Sequence, residues 1–65
     1  MAAVHSVEYQ VVWRWASDEA YRRRVDTVMA TTAPRAMSKV IKMLEDEYSN
    51  VRQDLRVIAV IPAEF

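Results

Sequence analysis

The stretch Val7-Glu8-Tyr9-Gln10-Val11-Val12-Trp13-Arg14-Trp15 decides the fold. Val7, Tyr9, Val11, Trp13 and Trp15 fall on alternate positions, with Glu8, Gln10 and Arg14 between them. That period of two is the pattern of a strand with one dry face and one wet face. Val12 alone departs from it, placing one apolar group on the otherwise polar face.

Moving toward the C-terminus, Ala16-Ser17-Asp18-Glu19-Ala20 is polar and turn-forming, and residues 21–31 fit two periods. As a strand they set Tyr21, Val25, Thr27 and Met29 on one face and Arg22, Arg24, Asp26 and Val28 on the other. As a helix capped by Ser17 they gather Tyr21, Val25, Val28 and Met29 into one stripe, with Asp18 and Glu19 in the first turn. The β-branched residues Val25, Thr27, Val28, Thr31 and Thr32 favour the strand, because such side chains crowd the preceding turn of a helix.

Thr31 or Thr32 then caps a helix whose first turn holds Pro34, where a missing N–H costs nothing. Ala33, Ala36, Met37, Val40, Ile41, Leu44 and Tyr48 recur at helical spacing and form the stripe facing the sheet, while Arg35, Lys39, Lys42 and Asp46 line the solvated face. Ser49-Asn50 ends the helix, Asn being the usual substitute for glycine in a left-handed cap. After Val51-Arg52-Gln53-Asp54 a last strand runs over residues 55–61 and closes at Pro62. Its alternation fails: Val57, Ala59 and Ile61 face one way, Ile58 and Val60 the other, and a strand apolar on both faces is normally covered on both.

The expected fold is therefore α+β: a ββαβ domain spanning residues 1–65, with βααβ as the alternative. A three-stranded antiparallel sheet in the order 2-1-3 keeps the crossover right-handed and all neighbours antiparallel, with one helix on one face. The other face is expected to present Val12, Val28, Ile58 and Val60 within a rim of Gln10, Arg22, Arg24 and Arg56, and rimmed apolar patches mark interaction surfaces.

Composition narrows the function. The 65 residues contain no cysteine and no glycine. The first absence excludes disulfides, thiolate metal sites and thiol nucleophiles; the second removes glycine-dependent phosphate loops. His5 is the single histidine and has no second nitrogen or sulfur ligand to join it, so no metal and no cofactor is expected. Ser6, Ser17, Ser38 and Ser49 lack any nucleophile-elbow context, so a non-enzymatic protein is expected. Glu45-Asp46-Glu47 splays about 100° per residue around the helix and cannot converge on a metal or form an acid–base pair. It reads as a solvated face or a docking patch for a basic surface. Met43 is a further, minor candidate for a binding surface.

Charge is balanced, nine cationic against nine anionic side chains. Residues 1–42 carry seven cations and four anions, whereas residues 43–65 carry two and five, so the molecule is charge-dipolar. The opening residues lack a signal-peptide pattern and the run 57–63 is far shorter than the ~20 residues a bilayer needs, so the cytoplasm is the expected compartment and no membrane the expected partner.

A domain this small buries only about 60% of its unfolded surface and commonly gains stability from association. The leading expectation is accordingly a protein-interaction module, a homodimer or a small protein docked on a larger one, through Val12, Val28, Ile58, Val60, Arg22, Arg24 and Arg56. The alternative is nucleic-acid binding by Arg14, Arg22, Arg23 and Arg24 beside Trp13 and Trp15, since guanidinium groups neutralise phosphates and indoles stack on bases. The indoles share a face with Val7 and Val11, which points them to the core, and the arginines serve equally as edge protection. A third reading is a structural assembly subunit. In general outline the layout resembles the short accessory and inhibitor proteins encoded by bacteriophages, many of them compact and cysteine-free, which act by occupying a protein surface. The resemblance rests on no motif and assigns no residue.

Overall fold

The computed structural model describes residues 5–63; the opening residues 1–4 and Glu64, counted above in the signal-peptide and charge arguments, lie outside the described residues. Strand β1 (Val7–Trp15) is followed by β2 (Arg24–Ala30), helix α1 (Ala33–Glu47), a one-turn helix α2 (Val51–Asp54) and β3 (Leu55–Pro62). The strands form an antiparallel sheet in the order β2-β1-β3. The α+β class, the central place of the first strand and the packing of one main helix on the sheet all agree with the sequence reading.

Helix α1 begins where its chemistry allows. Thr32 is extended (φ −144°) and its side chain accepts a hydrogen bond from the Arg35 N–H at 3.3 Å, while Pro34 occupies the first turn. Ala36, Val40 and Leu44 are buried along one stripe against Val11, Trp13 and Ala30 of the sheet. The helix stops at Glu47; Tyr48 is extended, its N–H donating to the Leu44 carbonyl at 2.8 Å. Asn50 does adopt the left-handed conformation (φ 58°), but as the residue that opens α2, with its carbonyl accepting from the N–H groups of Gln53 and Asp54. That extra turn inserts Val51, 3% exposed, into the core.

With no glycine, the β1–β2 connection is organised by two carboxylates: Asp54 accepts from the Ser17 N–H at 3.0 Å and from the Ser17 hydroxyl at 2.6 Å, and Asp18 holds the rest. The Asp18 carboxylate accepts from the Ala20 N–H at 3.0 Å, from the Arg22 N–H at 3.4 Å and from Arg22 Nε at 3.1 Å. Tyr21 takes a positive φ of 54° inside this loop. The second strand is consequently shorter than the expected 21–31, and Tyr21, Arg22 and Arg23 belong to the loop.

Two strand faces differ from expectation. In β2, Arg24 pairs with Trp13, Asp26 with Val11, Val28 with Tyr9 and Ala30 with Val7. Side chains of directly opposed residues share a face, so these four lie on the helix side, and Val25, Thr27 and Met29 lie on the helix-free side. The cause is Trp13. An indole buried to 3% exposure needs an acceptor for its N–H, and Asp26 supplies one at 2.6 Å. Ala30, 2% exposed, gives α1 a small surface to approach.

In β3 the ladder slips between Val12↔Ala59 and Trp13↔Val57, leaving Ile58 as an extra residue. Such a bulge reverses the alternation. Leu55, Val57 and Val60 therefore all pack against the core, whereas Arg56, Ala59 and Ile61 lie opposite. The apolar run thus places Val57 and Val60 together on the core face and still leaves Ala59 and Ile61 on the other.

Candidate protein interface

The face of the sheet that α1 leaves bare is built from four cross-strand rows. Val12 lies between Val25 and Ala59, Gln10 between Thr27 and Ile61, and Glu8 beside Met29. At the far end Arg14 is directly opposite Arg56. Val25 is 55% exposed, Met29 51%, Ile61 47% and the bulge residue Ile58 42%, while Val12 and Ala59 are half-buried beneath them. Apolar side chains standing this far out of a sheet face, grouped and edged by charge, form the kind of patch that proteins use for association.

This surface differs in membership from the one expected. Of the seven anticipated residues, Val12 and Arg56 lie on it, and Ile58 protrudes at the bulge. Val28 and Val60 pack on the helix side. Arg24 also lies on that side, its guanidinium 5.7 Å from the Trp13 ring centroid. Arg22 is tied into the loop by Asp18. Val25, Met29, Ala59 and Ile61 take the vacated places; a bulge and a one-residue change of register, neither visible in hydropathy, hide them from sequence reasoning. The one available signal was the failed alternation after Val57.

The four arginines proposed to bind nucleic acid do not gather on one surface. Arg14 is on the helix-free face, 5.0 Å from the Tyr21 ring centroid. Arg22 and Arg23 are in the exposed loop and Arg24 is across the sheet. The indoles are structural: Trp13 and Trp15 meet edge to face at 5.0 Å, and Trp15 meets Tyr48 the same way at 5.3 Å.

The electrostatics of the loop are local. Partial burial pushes the Asp18 carboxyl up, but the hydrogen bond from the Arg22 side chain, the Ala20 N–H, the Arg22 charge and the Arg22 N–H together outweigh it and hold the group below its ordinary value. On α1, Glu45, Asp46 and Glu47 are all exposed, and Glu45 pairs with Arg52 at 3.1 Å. Met43 is 49% exposed. A concavity of about 630 Å³ lies between α1 and β3, floored by Ile41, Leu55 and Val57. Among the described residues, no three of His, Asp and Glu come together as a metal-binding group. His5 is exposed at the start of the described chain. No helix among them is long and apolar enough to cross a membrane.

The chain matches no protein-family model, and neither a curated protein nor a solved structure is significantly similar to it.

Proposed function

We propose that this protein is a non-enzymatic interaction module that docks on a protein surface through the helix-free face of its sheet. The observation that carries the proposal is the exposed apolar group Val25, Met29 and Ile61 around Val12 and Ala59, with Ile58 exposed at the adjoining bulge. Each fully covered side chain of this size contributes roughly 1.5–3 kcal/mol, so covering even part of the group is a substantial drive for a domain with so thin a core. Nucleic-acid binding has less support, because the arginines divide between the two faces and the loop and both indoles are engaged in packing.

The test places a photo-crosslinking residue at Thr27, in the middle of this face, or at Arg35, on the exposed side of α1, in the full chain within its native cell. Protein adducts from position 27 that disappear with Val25→Asp are expected. Adducts from position 35 alone, or adducts to nucleic acid in place of protein, exclude the proposal.

A further inference from the structure

We infer that the occupant of the helix-free face is a second copy of this chain, stacked sheet on sheet with its strands running in the opposite sense; this rests on the docking role proposed for that face. The carrying observation is an arrangement of charge. Arg14 and Arg56 are directly opposed on neighbouring strands, a like-charge pairing that is unfavourable on its own. Among the described residues neither has a carboxylate partner: Arg14 donates to the Trp15 carbonyl at 3.3 Å, and Arg56 to the carbonyls of Gln53 and Leu55. Glu8 is the one carboxylate in the strand rows of the same face, and it too has no cationic partner among the described residues.

Glu8 and Arg14 are six residues apart on one strand, about 20 Å, too far to pair within a chain. A two-fold axis crossing β1 between Gln10 and Val12 removes that separation. It lays Glu8 of each copy over Arg14 of the other, with Arg56 beside it. The same operation sets Ala59 against Ile61 of the second copy and Val25 against Thr27, so the apolar groups meet at the centre and the ion pairs close the two ends. The opposite choice, strands running in the same sense, stacks Arg14 on Arg14 and Glu8 on Glu8. A nine-residue, three-stranded face covers about 30 by 14 Å. That footprint, about 420 Å², is roughly half the ~800 Å² per partner of a standard interface and falls in the range of weak, transient pairs, so the dimer is expected to form only at tens to hundreds of micromolar and to weaken with salt.

The experiment is sedimentation equilibrium on the full chain, with the fold of every variant checked by its amide NMR spectrum. Wild type is expected to dimerise. Glu8→Arg alone, and Arg14→Glu with Arg56→Glu, are each expected to weaken the dimer by about tenfold or more, as removal of close interfacial charge pairs does. All three substitutions together restore it, since the charges are then exchanged end for end. A wild-type monomer at several hundred micromolar, or a dimer indifferent to the three charges, overturns the inference while leaving the face to a different protein. A dimer that persists unchanged in Val25→Asp likewise overturns the inference, because self-association then uses another surface; the docking role itself falls only if the adducts from position 27 are absent.

Discussion

The indole N–H of Trp13 donates to Asp26 Oδ2 at 2.6 Å, reaching diagonally across the β1–β2 ladder from the residue paired with Arg24 to the residue paired with Val11. This contact fixes which face of β2 meets the helix. Asp26→Ala should destabilise the fold by about 1–3 kcal/mol, the cost of leaving a largely buried donor unpaired. In Trp13→Phe the same Asp26→Ala change should cost much less, since no donor remains. Urea unfolding of the four proteins measures the coupling, and strict additivity would contradict this account of the register.

The Asp18 loop should make stability depend on acid. The carboxyl is held below its ordinary value in the folded chain, so the native state binds fewer protons than the unfolded state at low pH. Its stabilisation is present above about pH 4 and is lost as the pH falls through the lowered folded value. The Tm difference between wild type and Asp18→Asn should therefore be largest near neutrality and close toward pH 2. A constant difference would show that the carboxylate charge has no part in it.

Asn50 holds a left-handed conformation that most residues adopt only at a cost. Asn50→Ala should lower stability by about 1–2 kcal/mol, and Asn50→Gly should stay within about 0.5 kcal/mol of wild type. Equal losses in the two variants would place the role of Asn50 in its side chain, which makes no capping hydrogen bond.

The two faces of β3 can be separated by neighbouring substitutions. Val60→Asp puts a charge against the core and should cost more than about 3 kcal/mol. Ile61→Asp, at a position 47% exposed, should change monomer stability by less than about 1 kcal/mol while abolishing association. Chemical unfolding and sedimentation together read both effects; reversal of their order would show the strand to be phased the other way.

The parts of this fold that could be read from sequence are those set by local chemistry. The period of β1, the Thr32 cap with Pro34 behind it, the stripe Ala36-Val40-Leu44 and the left-handed Asn50 each follow from side chains acting on their own backbone. The strand order followed from connection handedness. What escaped depends on contacts between distant residues: Trp13 claims Asp26 from thirteen positions away, and β1 sets where β3 slips. Hydropathy assigns Val25 and Met29 inward because it cannot weigh an indole donor against two apolar side chains. The candidate face was recognised as a place, but two of its four apolar members, Val28 and Val60, were on the wrong side of the sheet.

The bulge has a consequence for how this chain can vary. If Ile58 is skipped, β3 reads as a regular strand: Leu55, Val57, Val60 and Pro62 toward the helix, Arg56, Ala59 and Ile61 away. Loss of that single codon would leave every other side chain of the strand on its present face, an insertion–deletion that the architecture can absorb. Ile58 is thus architecturally dispensable, and the identity of the residue carried there is open to selection for what it touches outside the monomer.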